Sequence, residues 1–365
     1  MLKALFCIVF IFGAYFAFYI VNNACKKTKK DRHMYTDEDL TLAVKQNIFS
    51  QNEVNQFRQS INALRNSPAV DEENFRLING FNDIFVVIAS VLLLGSLGWL
   101  GFSITPALGG LAVAIGAWGL AEYFVNKRRM ALPAIVLLLA FLGGLFATPI
   151  LFNPDAKELA LMMAGLLTSV GAVAHWARFH VPITVAAGAA TLSGAVIACM
   201  LYLFPALLYY IDTIVLMLGL LIFGFAMMWD SKDTRRQTRA SDVAFWLHLI
   251  SAPMIVHPIF NSLGVLEGNS GVMISAVVLG LYILLGIIAI AVDRRAIMVS
   301  ALVYVIYTFS TLMENYGFVT YSFAITGLCI GSTLLLLSAF WHRCRKGIVD
   351  LLPNTVQTKL PVLKI

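Results

Sequence analysis

Two histidines in one strongly apolar segment are the side chains of this sequence best suited to chemistry. They are His248 and His257, and an imidazole can both accept and donate a proton, which suits it to proton transfer. Their spacing places them roughly 180° apart on an ideal helix, so they share a site only if Pro253 bends it. Ser251 and Asn261 complete this candidate site. A broken span with polar groups at depth is typical of transporters, and also of spans that simply bend.

Glu122 is an acidic side chain close to a different apolar segment. An ionisable group inside a bilayer is costly and is a functional candidate by default, so we include Glu122 in the candidate intramembrane site. It lies near the end of its segment, however. Pairing with the neighbouring Lys127 or Arg128 would satisfy it without any function.

A polar stretch begins with Asp230 and has a second aspartate, Asp233, three residues later. This spacing resembles that of membrane enzymes that hold CDP-linked lipids through metal ions. Those enzymes place a glycine where this chain has Thr234, and their downstream aspartates are missing, so the resemblance fails. We interpret the stretch as a solvated loop that meets anionic lipid headgroups. The residues expected to bind the headgroups are Arg235, Arg236 and Arg239.

Motifs of the common enzyme and cofactor classes are missing. The chain has no phosphate-binding loop ending in GK[ST], no GxSxG and no HExxH. Its 5 cysteines include no CxxC pair, which argues against a disulfide framework or a zinc site. The net charge of +6 does not indicate nucleic-acid binding, because the charges cluster between apolar runs. We expect no cofactor, no metal, no nucleic-acid partner and no catalytic residue.

The composition places the protein in a membrane. Hydrophobic residues make up 59% of the 365 residues and charged residues only 13%. Soluble domains are nearer 45–50% apolar and about 25% charged. A chain of this size cannot bury so much apolar surface within itself, so lipid must cover part of it. We expect an all-α, polytopic bundle of transmembrane helices.

Apolar runs long enough to cross a bilayer recur along the chain and predict about eleven spans. They are Leu2–Val21, Ile84–Phe102, Pro106–Val125, Leu132–Phe152, Leu159–Trp176, Ile183–Phe204, Thr213–Trp229, Val243–Phe260, Val272–Val292, Ile297–Met313 and Val319–Trp341. The corresponding organisation is a signal-anchor span (1–21), a cytoplasmic helical segment (22–83), a ten-span bundle (84–341) and a cytoplasmic tail (342–365).

The basic residues predict the direction of these spans. With the N-terminus outside, 24 of the 26 Lys and Arg residues fall on the cytoplasmic side, and only Lys3 and Lys157 fall on the other. Cytoplasmic loops are enriched in Lys and Arg, so we predict an external N-terminus and a cytoplasmic C-terminus. The poor cleavage site at Asn22–Ala24 favours an uncleaved first span over a signal peptide.

The segment before the bundle reads as a helical hairpin over 36–66. Thr36 to Asp39 and Ser50 to Glu53 each have the pattern of a capping box that opens a short helix. Apolar residues recur at intervals of three and four after the second box, as on an amphipathic helix. The hairpin is either a small cap on the membrane domain or a module that docks a protein partner.

Three stretches resemble a family of bacterial multi-pass inner-membrane proteins of unknown function. They are the hairpin with Asn47-Ile48-Phe49-Ser50 at its turn, followed by 73–85; the stretch 239–248; and the ending from Trp341 to Pro353. The resemblance covers most of the chain and implies a bacterial inner (plasma) membrane, but no activity.

Ten closely spaced spans with short loops leave little surface for other work, so we expect a transporter-like or permease-like protein for an unidentified solute or lipid. The alternative is a non-catalytic membrane scaffold or regulator whose hairpin docks a partner. Membrane lipids are expected partners in both.

Overall fold

The computed structural model describes residues 81–362, except 156, 235, 237, 266–271 and 316–321, together with scattered positions between 44 and 57. Contacts divide the chain into two units, Lys3–Arg76 and Leu77–Ile365. The predicted first span, 2–21, lies outside the described residues.

Helices account for nearly all of the described part of the second unit. Ten of them are long: α1 (Phe81–Ile104), α2 (Pro106–Ala121), α3 (Ala131–Phe152), α4 (Lys157–Phe179), α5 (Ile183–Leu203), α6 (Ile211–Asp230), α7 (Arg239–Asn261), α8 (Val272–Val292), α9 (Ala296–Asn315) and α10 (Ser322–Asp350). A π-helical turn, Glu122–Lys127, extends α2, a 3₁₀ turn, Pro205–Tyr210, leads into α6, and a short helix α11, Asn354–Gln357, follows α10.

The described part of the chain is helical throughout, as predicted, and its apolar helices indicate a multi-pass integral membrane protein. Nine helices among the described residues are long and apolar enough to cross a bilayer. The apolar part of α9, Ala296–Leu312, is shorter. Large apolar side chains such as Trp99, Leu221 and Leu336 are mostly exposed, as expected for surfaces that lipid covers.

Small residues set the closest contacts between neighbouring helices. A Cβ atom added to Gly144 of α3 would lie 2.5 Å from the carbonyl oxygen of Gly110 on α2, so the two backbones touch there. Ala114 and Ala117 continue the buried face of α2. Such faces let membrane helices approach closely without a polar partner. A Cβ atom added to Gly194 of α5 would meet no described atom within 4 Å, so Gly194 does not set a close contact between helices.

The packed interior of the bundle has two main parts. One lies among α2, α3, α4 and the start of α5 and is centred on Leu137 and Leu138. The other lies among α7, α8, α9 and α10 and includes Val256, Phe260 and Ala301. Helix α7 packs against α5, α6 and α9, and so lies between the two parts.

The first unit is described only near the predicted second capping box, which is present. The backbone N–H and the hydroxyl of Ser50 donate to Glu53 at 2.7 and 2.9 Å, and the Glu53 N–H donates back to the hydroxyl at 3.2 Å. The backbone N–H of Ser50 holds the pKa of Glu53 below its usual range. Val54 is buried, whereas Phe57 is 52% exposed.

Candidate functional site

A buried ion pair joins the last residue of α6 to the turn between α8 and α9. Arg294 donates to the two Asp230 carboxylate oxygens at 2.6 and 3.3 Å. His248 of α7 lies with its Nε2 atom 2.9 Å from the same carboxylate. Asp230 and His248 are fully buried and Arg294 is 3% exposed. We call Asp230, His248 and Arg294 the Asp230 cluster.

A second ionic cluster lies directly beside the first. Asp293, the residue before Arg294, accepts a hydrogen bond from the Trp341 indole N–H at 2.7 Å and forms an ion pair with Arg236 at 3.0 Å. The Arg345 Nε atom lies 3.7 Å from the same carboxylate. All four side chains are more than nine-tenths buried. We call Asp293, Arg236, Trp341 and Arg345 the Asp293 cluster.

The backbone of the α8–α9 turn explains how two adjacent residues serve two clusters. Asp293 has a φ of 60°, the left-handed conformation that often ends a helix. The Arg294 N–H then donates to the carbonyl of Ala289 at 2.9 Å, which satisfies the end of α8. Aspartate tolerates this conformation better than most side chains. The turn therefore connects the two clusters covalently.

The C-terminal segment closes over this end of the bundle. The guanidinium of Arg345 donates to the carbonyl oxygens of Pro361 and Val362. The Val362 N–H in turn donates to the carbonyl of Thr234, in the loop between α6 and α7, at 3.0 Å. Leu360 packs against Val292 and Val349 in a small apolar cluster. Elements from α6 to the tail are thus tied together at one end.

Burial makes these charges expensive unless they are paired, since an isolated charge in a low-dielectric interior costs several kcal/mol. Both aspartates face arginine, so each charge has a counter-charge. Among the residues that the structure describes, none is hydrogen-bonded to the His248 Nδ1 atom. With Nε2–H donated to Asp230, this nitrogen carries the lone pair of the neutral ring. It is a buried proton acceptor beside a carboxylate.

Polar groups of a different kind lie at the opposite end of α6 and α7. Asn261 donates to the Asp212 carboxylate at 2.7 Å, which connects the last residue of α7 with the first turn of α6. His257 is hydrogen-bonded to the Tyr304 hydroxyl of α9. His257 is exposed, and Asp212 and Asn261 are partly buried. We call Asp212, Asn261, His257 and Tyr304 the Asp212 cluster.

The structure does not bring the predicted histidines into one site. His248 contacts α6 and the α8–α9 turn, whereas His257 contacts α9 nearer the other end, about 13 Å further along α7. The helix is continuous through Pro253. Ser251 donates to the backbone carbonyl of His248 at 3.1 Å, so its role here is to satisfy the helix. Asn261 does lie near His257, because both belong to the Asp212 cluster.

Glu122 also has a partner other than the ones considered from the sequence. It forms an ion pair with Arg178 of α4 at 2.7 Å and accepts a hydrogen bond from Asn126 at 3.2 Å. The Arg178 side chain is 51% exposed. The pair joins the ends of α2 and α4 and is separate from His248 and His257, and a functional role for Glu122 stays a prediction.

The three arginines expected at the headgroups have different surroundings. Arg236 is 7% exposed and its guanidinium is paired with Asp293, and its contact with headgroups stays a prediction. Arg239 is exposed at the start of α7, and its role stays a prediction. Arg235 lies outside the described residues. A loop arginine becomes buried here because an acidic turn 57 residues later needs a counter-charge.

The remaining polar side chains near these clusters have local contacts. Asp233 accepts hydrogen bonds from the Thr238 N–H and hydroxyl, both at 2.7 Å, and so supports the start of α7. Among the described residues no group of acidic, His and Cys side chains is arranged to hold a metal. His175, near the end of α4, is fully buried beside Phe141 and Phe179.

Sequence reasoning missed most of the residues that form the two ionic clusters. Asp230, Asp293 and Arg294 stand at the ends of apolar runs, where charged residues ordinarily face water. Two weak signals were present. Asp230 and Asp293 both follow an apolar run directly, and Trp341 lies at the end of the last one. No family model matches the chain, and neither a curated protein nor a solved structure shows significant similarity to it.

Proposed function

We propose that this protein is transporter-like or permease-like, acts on a small solute or a lipid, and uses the α6–α7 pair to gate access. The supporting observation is the contrast between the two ends of this pair. At one end Asp230 and His248 are fully buried. At the other end His257 is exposed, and Asp212 and Asn261 are only partly buried. A transporter closed at one end and accessible at the other has this asymmetry.

The chemistry of the closed end favours a gate over a permanent seal. Ion pairs in a dry interior gain from mutual attraction but have lost their hydration. If this end opens, water solvates the released charges and offsets much of the lost attraction. An apolar seal would gain nothing comparable from entering water. The Asp230 and Asp293 clusters therefore suit an end that alternates between two states.

The proposal includes the predicted topology of eleven spans, an external N-terminus and a cytoplasmic C-terminus. Three turns at the Asp230 end, after α2, α6 and α8, each contain two or more Lys or Arg residues. This supports a cytoplasmic location for both ionic clusters. The resemblance to bacterial inner-membrane proteins supports a bacterial inner membrane as the location.

Cysteine accessibility tests the gate without knowledge of the solute. All 5 native cysteines are first replaced by Ala. Ser241→Cys then reports on the closed end, where the Ser241 carbonyl accepts a hydrogen bond from Arg294, and Asn261→Cys reports on the other end. Each is labelled with a membrane-impermeant maleimide in intact cells and in inverted vesicles. Arg239→Cys, at an exposed position, serves as the orientation control.

We expect Asn261→Cys to react from outside and Ser241→Cys to be protected. Adding Asp230→Asn should expose Ser241→Cys to the cytoplasmic side and, at the same time, protect Asn261→Cys. If maleimide labelling rises at position 241 but does not fall at position 261, the variant is locally unfolded, and this would contradict alternating access. Labelling of Arg239→Cys from outside would contradict the topology.

The scaffold hypothesis has one observation in its favour. Ile48 and Phe49 are 62% and 48% exposed beside the capping box of Ser50. Apolar side chains held outward next to a fixed turn suit a protein partner. Under this hypothesis, deletion of 36–66 abolishes the protein's cellular role while its membrane part melts at an unchanged temperature. A deletion strain that behaves like wild type would eliminate it.

A further inference from the structure

An apolar groove runs between α9 and α10 and shares one residue, Trp341, with the Asp293 cluster. Its volume is about 170 Å³. Residues line it from both sides: Arg295 of the α8–α9 turn with Met298 and Leu302 of α9, and Leu334, Leu337 and Trp341 of α10. Leu334 and Leu337 lie in the part of α10 that is apolar and long enough to cross a bilayer. The groove therefore opens to lipid.

One end of the groove is positively charged. Arg295 lies in the α8–α9 turn, is exposed, and holds its guanidinium 4.8 Å from the centre of the Trp341 ring. Trp341 is itself fixed, because its indole N–H donates to Asp293. The guanidinium is thus positioned over a rigid aromatic surface at the level where headgroups meet the helix ends.

We propose that this groove binds one anionic phospholipid, with the phosphate on Arg295 and an acyl chain along Leu334 and Leu337. The two ends of the groove match the two parts of such a lipid. Guanidinium groups bind phosphate through directed, charge-assisted hydrogen bonds. Basic pockets between helices on the cytoplasmic side of a membrane protein are suited to anionic headgroups. An uncharged lipid would use only the apolar part.

Native mass spectrometry of the full chain, titrated with phosphatidylglycerol or phosphatidylcholine of the same acyl chains, tests this proposal. Arg295→Gln removes the charge, Arg295→Lys keeps it, and Leu334→Trp fills the groove. Arg343→Gln is the matched control, because Arg343 is an exposed arginine near the same end of α10 that lies over a different ring, Phe340, at 5.6 Å. Thermal melting checks that each variant is folded.

We expect the wild type to retain phosphatidylglycerol in preference to phosphatidylcholine. Arg295→Gln should reduce that preference about fivefold, the effect of one basic residue at an anionic surface. Arg295→Lys and Arg343→Gln should keep most of it, and Leu334→Trp should weaken both lipids.

Three outcomes would overturn the proposal. One is an equal loss of preference in Arg295→Gln and Arg343→Gln. Another is unchanged retention in folded Leu334→Trp. The third is a dimer that Leu334→Trp dissociates, which would assign the groove to a second copy of the chain.

Discussion

Neutralising Asp230 should destabilise the protein strongly, although the change replaces one oxygen with an NH₂ group. Asp230→Asn leaves Arg294 charged, 3% exposed and without its counter-charge. Two unit charges about 3 Å apart attract by roughly 5 kcal/mol at an effective dielectric constant of about 20. Removing one partner of a buried ion pair typically lowers the free energy of unfolding by about 3–5 kcal/mol. Asparagine still hydrogen-bonds to His248, so most of the loss comes from the charge.

The assay is thermal unfolding in nanodiscs, followed by tryptophan fluorescence. An unfolding entropy of about 2.1 cal/mol/K per residue corresponds to about 0.8 kcal/mol/K for 365 residues, so a loss of about 3–5 kcal/mol should lower the Tm of Asp230→Asn by roughly 4–7 °C. Asp350→Asn is the matched control, because Asp350 is exposed at the end of α10. Changes at exposed positions are usually within about 0.5 kcal/mol, so its Tm should move by no more than about 2 °C.

A double-mutant cycle isolates the pairing itself. Arg294→Met strands the Asp230 carboxylate, whereas Asp230→Asn combined with Arg294→Met removes both charges. The double variant should therefore melt no lower than either single variant, because no buried charge remains unpaired. If the two single losses simply add, the charges do not depend on each other and the reasoning is refuted. An Asp230→Asn variant with the same Tm as Asp350→Asn would also refute the reasoning.

Three further predictions concern packing, exposure and the tail. Gly144→Ala should lower Tm because its Cβ would meet the Gly110 carbonyl oxygen at 2.5 Å, while Gly143→Ala, with nothing within 4 Å, should not; equal melting would contradict the close contact. Glu122→Gln should change Tm little because its ion pair is partly exposed, and a loss as large as that of Asp230→Asn would show unexpected desolvation. Removing 354–365 should speed proteolysis in the 231–238 loop, which the tail contacts, and an unchanged cleavage rate would argue that this contact is weak.

Some features followed from the sequence because they depend on neighbouring residues alone. A run of about twenty apolar residues satisfies its own backbone hydrogen bonds as a helix, so the positions of the ten long helices were predictable. The capping box of Ser50 and Glu53 is equally local, since its hydrogen bonds join residues three apart. The span before the hairpin and the direction of insertion stay predictions.

The pairing of charges was decided only by the tertiary structure. Asp230 pairs with Arg294, which lies 64 residues later in the chain. Asp293 pairs with Arg236, which lies 57 residues earlier. In the sequence these residues lie at the end of an apolar run or in the polar loop that follows one, and they are indistinguishable from headgroup contacts. His248 and His257 lie on the same helix, yet His248 belongs to the Asp230 cluster and His257 to the Asp212 cluster. The physical reason is that a span is defined by its own composition, whereas burial of a charge depends on which helix ends meet in space.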